Sequence, residues 1–199
     1  MEQSLDLNRR YTYADYMTWA DDKMRELLNG FVRLMSPAPA LKHAVVSRKI
    51  SNAMINHVDR TGGDCQVFYA PFDVRFPKNP DETKDHQIYT VVQPDICVVC
   101  DLAKLDERGC LGAPDMVVEI LSLSSQRYDL NEKFNIYQSG GVKEYWVVSP
   151  KEKGIQVFIL QENGQYDAGT IYEGNTQVPL QTLPGLSICT ENIFQSIDL

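Results

Sequence analysis

The sequence has few cysteines and no long apolar run, and each absence excludes a class of protein. Five cysteines, an odd number without regular spacing in a chain of 199 residues, argue against a disulfide scaffold and predict reduced thiols. The first ten residues lack the apolar region of a signal peptide, and no stretch approaches the roughly 18 apolar residues of a membrane span. The sequence therefore predicts a cytoplasmic protein.

Positive charge is also scarce. The chain has 19 Lys and Arg against 27 Asp and Glu, which gives a net charge of −8. This balance argues against the extended basic surface that dominates non-specific nucleic-acid binding. It leaves room for a local site in which a metal ion and a few clustered basic side chains hold phosphate, or for a groove built by paired subunits.

Several motifs of known enzyme classes are missing. No glycine-rich cofactor loop, nucleophile elbow or zinc quartet is present. Cys97 and Cys100 have the spacing of a redox or zinc pair, but residues three apart on a strand point to opposite faces, and no second pair accompanies them. We therefore expect them in the core of a single domain that spans residues 1–199.

The segment 114–149 predicts a strand, a helix and a second strand. Residues 116–121 form a short apolar run with Glu119 inside it, and residues 126–139 have helical periodicity and end at a glycine pair. A β-rich segment follows at 145–148. A crossover of this length is typical of a right-handed βαβ unit with parallel strands.

Glu119 and Lys133 are the polar residues of this unit that need a partner. A carboxylate in a buried strand requires an opposite charge, a proton or a metal. On the helix, Lys133 projects beside the apolar side chains of Phe134 and Tyr137, which places it over the sheet. One interpretation is a buried ion pair between strand and helix with no metal.

The remaining chain predicts a short helix at 13–20, a hairpin turning at Asn29–Gly30, a helix at 41–58, a strand at 91–100 and a C-terminal β-meander. Glu26 falls on the first hairpin strand, where a solvated residue is as compatible with the pattern as a functional one. His43 lies in the first turn of the second helix, which predicts a surface or capping role. Asp95 follows a proline near the start of the strand at 91–100.

Asp95, Glu119 and Lys133 form a set that suits a hard cation. Mg²⁺ prefers oxygen ligands, commonly one or two carboxylates completed by water and substrate phosphate. A cation also relieves the repulsion between two close carboxylates and lowers the pKa of a bound water. The lysine would orient or help deprotonate that water, or stabilise negative charge that develops on phosphate.

Motifs spread along most of the chain resemble the Uma-two family of restriction endonucleases, in the PD-(D/E)XK nuclease superfamily. The matching segments are residues 26–30, Ser36–Pro37 with His43, residues 94–96, residues 114–122, Asp129 with Lys133 and Tyr137, and residues 141–148. The lysine that the superfamily carries two residues after the glutamate is replaced here by Leu121. In this family the lysine is thought to have moved to the following helix, which corresponds to Lys133.

The resemblance implies a fold, a site and an activity. The implied fold is a restriction-endonuclease-like α/β core, a mixed β-sheet flanked by helices, with an N-terminal hairpin and a C-terminal β-meander. The implied site has Asp95 and Glu119 as ligands of Mg²⁺ or Mn²⁺, the Ile120 carbonyl as a third ligand, Lys133 as the catalytic lysine and Glu26 as an accessory acid. The implied activity is an endonuclease acting on DNA, and we expect a homodimer.

Two further hypotheses compete with the endonuclease. The acidic charge and the absence of lysine at position 121 favour a catalytically inactive nuclease fold that binds nucleic acid or a protein partner. The β-rich C-terminal part favours a structural protein that dimerises through it.

Overall fold

The computed structural model describes residues 5–21, 23–35, 40–79, 81–122 and 127–195, with the backbone alone described for 127–130. These residues form four α-helices. They are α1 (Tyr13–Tyr16), α2 (Leu41–Thr61), α3 (Arg127–Gly140) and α4 (Thr190–Phe194).

Fourteen strands accompany the helices in this part of the chain. They are β1 (Arg25–Leu28), β2 (Phe31–Leu34), β3 (Gln66–Tyr69), β4 (Val74–Phe76), β5 (Thr90–Val92), β6 (Ile96–Val99), β7 (Leu105–Asp106), β8 (Gly109–Leu111), β9 (Met116–Ile120), β10 (Glu144–Ser149), β11 (Gly154–Ile159), β12 (Thr170–Glu173), β13 (Gln177–Pro179) and β14 (Ser187–Cys189).

The strands build two large sheets and one small sheet. Sheet A has the order β2-β1-β5-β4-β8-β7, sheet B has the order β12-β11-β10-β9-β6-β3, and β13 pairs with β14. Both large sheets are mixed, because β4 runs parallel to β8 and β9 runs parallel to β10 while their other neighbours are antiparallel. The mixed α/β fold class expected from the sequence is confirmed, with the described strands divided between two large sheets and one small sheet.

The N-terminal hairpin turns at the two residues that the sequence indicated. Asn29 has φ 52° and Gly30 has φ 90°, and both values suit a tight turn between antiparallel strands β1 and β2. Helix α1 begins at a capping box between Thr12 and Asp15 and is shorter than the predicted helix at 13–20.

Helix α2 packs its apolar face on one side of sheet B. Val46, Ile50 and Met54 are fully buried and share a core cluster with alternate residues of the central strands. The helix extends to Thr61, three residues beyond the predicted end, and stops at Gly62, which has a left-handed conformation.

The βαβ unit predicted at 114–149 is present as β9, α3 and β10. Met116, Val118 and Ile120 face α2, whereas Val117 shares the opposite cluster with Tyr137 of α3. Since side chains alternate along a strand, Glu119 lies on the α3 side. The cluster on that side also contains residues of sheet A, so α3 is enclosed by both sheets.

The strand expected at 91–100 is instead two strands. Residues 90–92 belong to sheet A as β5, and residues 96–99 belong to sheet B as β6. Pro94 lies in the connection, where it cannot donate a ladder hydrogen bond. The chain therefore crosses from one sheet to the other at Gln93, Pro94 and Asp95.

The prediction of reduced thiols is wrong for Cys65 and Cys100, which form a disulfide. Cys65 follows the end of α2 and Cys100 follows β6, and spacing in the sequence gave no sign of this approach over 35 residues. Cys97 is a buried free thiol in the cluster on the α3 side, so Cys97 and Cys100 are not a redox pair.

The C-terminal meander is present, with β10, β11 and β12 pairing successively in antiparallel fashion. Within the described ranges, no helix has the length and apolar character required to cross a membrane.

Candidate active site between the two sheets

Lys133 joins a carboxylate of sheet A to a carboxylate of sheet B. Its Nζ lies 2.8 Å from Glu26 Oε1 on β1 and 2.9 Å from Glu119 Oε1 on β9. All three residues are buried, with exposed fractions of 9% for Lys133, 5% for Glu26 and 8% for Glu119. The interpretation of Glu26 as a solvated strand residue is therefore wrong, and the predicted contact of Lys133 with Glu119 is present.

Tyr137 is a second donor to the same carboxylate oxygen. One helical turn after Lys133, its hydroxyl donates a 2.5 Å hydrogen bond to Glu119 Oε1. The side chain is fully buried, and burial raises the pKa of Tyr137 well above its usual value. The phenol therefore stays protonated and remains a donor, and the two residues of α3 fix the orientation of Glu119.

Burial and neighbouring charges shift the pKa values of Glu119 and Lys133 in opposing directions. Burial raises the pKa of Glu119, the charge of Lys133 lowers it, the charges of Asp95 and Glu26 raise it, and the net result is a pKa of about 7. Burial lowers the pKa of Lys133, but the charges of Glu119 and Glu26 and hydrogen bonds to both raise it well above the usual value. Lys133 is consequently a fixed positive charge in this cluster, which holds more carboxylates than cations.

Asp95, directly before β6, lies beside Glu119 of the adjacent strand β9. Ile96 pairs with Val118, and continuing this antiparallel register by one residue places Asp95 across from Glu119. Directly opposed residues point to the same face of a sheet. The Ile120 amide donates a 2.7 Å hydrogen bond to Asp95 Oδ2, which ties the carboxylate to the end of β9.

Glu26 is held from a second direction by the crossover between the sheets. The backbone N–H of Gln93 donates a 2.8 Å hydrogen bond to Glu26 Oε1. The segment that supplies Asp95 therefore also positions Glu26. The four predicted site side chains, Glu26, Asp95, Glu119 and Lys133, form one connected cluster.

His43 belongs to this cluster, contrary to the surface or capping role expected from the sequence. Its Nε2 lies 3.1 Å from Asp95 Oδ1, and only 14% of its side chain is exposed. Burial lowers the pKa of His43, but the bond to Asp95 and the charges of Asp95 and Glu119 raise it, and the net shift is upward. Helical position gave no signal of a contact that joins residues 52 positions apart.

The oxygen atoms in the cluster suit a hard cation. The carboxylates of Asp95 and Glu119, with the carbonyl of Ile120, are the ligand types that Mg²⁺ and Mn²⁺ accept. The repulsion that Asp95 and Glu26 exert on Glu119 favours additional positive charge there. Among the residues described, no three His, Cys, Asp or Glu side chains group as metal ligands, so a cation here would need the backbone carbonyl or substrate oxygens.

Position 121 has no charged side chain, and the ammonium group near Glu119 belongs to Lys133. Leu121 is two residues after Glu119, and its N–H donates to Val148 O at 2.8 Å, which continues the pairing of β9 with β10. Position 121 therefore lies directly after β9 and has an apolar side chain. The ammonium group beside Glu119 comes from helix α3 instead.

Some motif residues fall outside the described part of the chain. Ser36 and Pro37 lie outside the described ranges, and the side chain of Asp129 is not described. Asp115, in the second Pro-Asp pair of the motif region, has a different environment: it binds Lys143 Nζ at 2.7 Å and accepts the Cys100 N–H at 2.8 Å. It anchors the loop before β9 and lies outside the cluster of described contacts around Lys133.

Comparisons with known proteins bear on the family and the fold of this chain. A family with the description "Uma2: Putative restriction endonuclease" matches residues 13–191. An uncharacterised protein of Synechocystis is 25% identical over 186 residues, covering 92% of this chain and 90% of that protein. The crystal structure of an Anabaena variabilis protein, described as a putative nuclease belonging to DUF820, has a TM-score of 0.72 with 17% identity and covers 92% of this chain and 97% of that chain.

The structural likeness covers nearly the whole chain and shows the fold alone, since so few residues are identical. The family match spans α1 to the start of α4, including all the residues of the cluster. The chain therefore belongs to the Uma2 family and has a nuclease-like fold.

Proposed function

We propose that the protein is a metal-dependent endonuclease that hydrolyses phosphodiester bonds in DNA. The observation that carries the proposal is the contact of Lys133 Nζ with Glu119 Oε1 at 2.9 Å, on the face of sheet B where Asp95 lies opposite Glu119. Two carboxylates and one ammonium group at one strand end are the parts required to bind a cation and stabilise a phosphate.

In this proposal Asp95, Glu119 and the Ile120 carbonyl hold Mg²⁺ or Mn²⁺. When bound, the cation polarises the phosphate and lowers the pKa of a coordinated water. Glu119 keeps its orientation because Lys133 and Tyr137 both bind its Oε1. Asp95 keeps its orientation through the Ile120 amide and His43.

Lys133 has an electrostatic role in the proposal. Its strongly raised pKa keeps it protonated, so it serves poorly as a general base. A fixed ammonium group in a buried site stabilises negative charge on the phosphate oxygens as the bond breaks. Glu26 counterbalances Lys133 and holds its Nζ in place at 2.8 Å, which gives the accessory acid a positioning role.

The proposal is tested by cleavage of supercoiled and linear plasmid DNA with Mg²⁺ or Mn²⁺. Asp95→Asn keeps the shape of the side chain but weakens the cation site. We expect it to lower the cleavage rate by at least about 100-fold, because cation catalysis contributes several kcal/mol. The matched control is Asp81→Asn, since Asp81 is exposed and also follows a proline.

Two results would contradict the proposal. Asp95→Asn could cleave as fast as the parent, or the parent could cleave equally well in excess EDTA. Either result would mean that the cluster is not the catalytic site. Repeating the assay with RNA of the same sequence tests the preference for DNA.

One observation favours a second candidate, a catalytically inactive nuclease fold that binds nucleic acid or protein. The positive charge of Lys133 is shared by two buried carboxylates, so the cluster is also explained as a structural ion network without a metal. Salt-dependent DNA binding without cleavage under any divalent cation would support this candidate against the first.

The expected homodimer is part of the proposal, because a net charge of −8 favours a groove built by two subunits over a broad basic surface on one. Sedimentation velocity over a hundredfold concentration range tests it. A monomer at all concentrations, with and without DNA, would contradict it.

A further inference from the structure

A cavity of about 340 Å³ opens at the end of the molecule where the chain crosses between the two sheets. Its walls include Trp19 and Met24 from the segment before β1, Arg25 from β1, and Pro71 and Gln93 from the two crossover segments. The volume falls within the range of about 300–1,000 Å³ that is usual for small-molecule sites.

Two segments line the cavity and also supply residues of the candidate active site: strand β1 and the connection between β5 and β6. Arg25 lines the cavity and Glu26, the following residue, binds Lys133. Gln93 lines the cavity and precedes Asp95 by two residues, so their Cα atoms are at most about 7 Å apart. Adjacent residues on a strand point to opposite faces, so cavity and catalytic cluster lie on the two sides of the same strand end.

The walls combine apolar surface with buried polar atoms. The Arg25 guanidinium lies 5.4 Å from the centre of the Trp19 ring and binds Asp21. Within the described residues, Arg25 Nε and Gln93 Oε1 are buried without a hydrogen-bond partner. The amide nitrogen of Gln93 is occupied by a 2.8 Å bond to Asp73, which leaves its oxygen as the available acceptor.

These features fit a planar ligand with both donors and acceptors on its edge. Asp21 binds Arg25, and Lys23 also lines the cavity, so the wall combines both signs of charge. Trp19 and Met24 line the cavity with aromatic and thioether atoms, against which a flat heterocycle packs favourably. A nucleobase has this shape and this pattern of polar groups, and bases stack on aromatic side chains in single-stranded binding sites.

We propose that this cavity holds an unpaired nucleobase of the nucleic-acid substrate, whose backbone passes around the strand end to place a phosphate at the catalytic cluster on the other side. The inference rests on the proposed nuclease function and adds a substrate class to it. The preferred substrate has a single-stranded or extruded nucleotide at the cleavage position, because a base within a duplex cannot leave its stack without unpairing.

The test compares a single-stranded pentanucleotide with a fully abasic pentanucleotide of the same backbone, both titrated calorimetrically in EDTA so that no cleavage occurs. The parent should bind the base-containing strand about fivefold to a hundredfold more tightly, as one stacked base contributes in such sites. Met24→Trp fills the cavity without removing a described hydrogen bond, and it should abolish most of that preference.

Met17→Trp is the matched control. Met17 is 53% exposed and Met24 is 39% exposed, but Met17 does not line the cavity, so this variant should keep the preference. Met24→Phe introduces a smaller ring and should reduce the preference in the same direction. Unfolding midpoints equal to that of the parent establish that each variant is folded.

The outcomes separate this inference from the nuclease proposal. Equal binding of both strands by the parent, or a preference that survives in folded Met24→Trp or Met24→Phe, overturns the cavity assignment even if the protein cleaves DNA. A preference that Met24→Trp removes supports the cavity assignment, and absence of metal-dependent cleavage would then count against the nuclease proposal alone.

Discussion

The backbone amide of Ile120 donates a 2.7 Å hydrogen bond to Oδ2 of Asp95. This bond fixes the first carboxylate of the cluster to the strand that carries the second, one residue after Glu119. It also places the Ile120 carbonyl at the same strand end. The arrangement of oxygen atoms is consequently set by the main chain of β9, and the side chains of α3 adjust the charge around it.

Lys133→Met should destabilise the fold strongly. The change removes the positive charge and leaves Glu26 and Glu119 buried beside one another without a counterion. Loss of one partner of a buried ion pair typically costs about 3–5 kcal/mol in the free energy of unfolding. Urea unfolding monitored by circular dichroism measures it.

The control for this prediction is the triple variant Lys133→Met with Glu26→Gln and Glu119→Gln. Removing all three charges eliminates the unpaired carboxylates, so the triple variant should recover much of the loss. Equal destabilisation of the single and triple variants would mean that lost packing of the lysine stem, and not unpaired charge, dominates the effect.

The βαβ unit could be predicted from the sequence because its signals are local. A short apolar run, a helical stripe and a glycine stop define β9, α3 and β10, and the stripe places Lys133 over the sheet that carries Glu119. The hairpin at Asn29–Gly30 was predictable for the same reason, since only residues that tolerate positive φ suit that turn.

The rest of the cluster depends on contacts between distant segments. Nothing local distinguishes His43 from a capping residue, because its partner Asp95 comes from another element. Nor does the run at 91–100 reveal that it leaves one sheet at Val92 and enters another at Ile96. The pairing of Cys65 with Cys100 is hidden in the same way, since it follows from where α2 ends against β6.

The stability of the metal-free protein should fall as pH rises through the range in which Glu119 titrates. Its pKa is raised from 4.5 to about 7 by burial, which outweighs the lowering by Lys133. Between these values the folded protein holds a proton that the unfolded chain has released, so the free energy of unfolding decreases with pH.

Glu119→Gln lacks this titration. In EDTA, the difference in unfolding free energy between variant and parent should therefore shift in favour of the variant from pH 5 to pH 8. Urea unfolding at four or five pH values measures the shift. A difference that stays constant across the range would mean that Glu119 is ionised throughout.

Reduction of the disulfide between Cys65 and Cys100 should destabilise the protein. The bond closes a segment with a sequence separation of 35, and such a link contributes about 3–4 kcal/mol by restricting the unfolded chain. Denaturant unfolding with and without reductant measures the loss, and the double variant Cys65→Ser with Cys100→Ser should not respond to reductant.

Alkylation under denaturing conditions tests whether the disulfide is present. Without reductant only the free thiols Cys97, Cys110 and Cys189 should react, and all five cysteines should react after reduction. Five alkylated cysteines in the unreduced protein would contradict the disulfide and restore the expectation of reduced thiols.

His43→Ala should weaken binding of Mg²⁺ and Mn²⁺ if Asp95 is a metal ligand. His43 Nε2 holds Asp95 Oδ1 at 3.1 Å, while the Ile120 amide holds Oδ2, so the two bonds together define the orientation of the carboxylate. Loss of a partner that orients a ligand typically costs about 10–100-fold in metal affinity.

His57→Ala is the matched control, because His57 lies on the same helix 14 residues later, about 21 Å along its axis. Calorimetric titration should show weaker binding for His43→Ala and parental affinity for His57→Ala, and the experiment is repeated with uncleavable phosphorothioate DNA so that substrate oxygens can complete the site. Parental affinity in folded His43→Ala, with and without DNA, would mean that the Ile120 amide is sufficient to orient Asp95 and that His43 only packs against it.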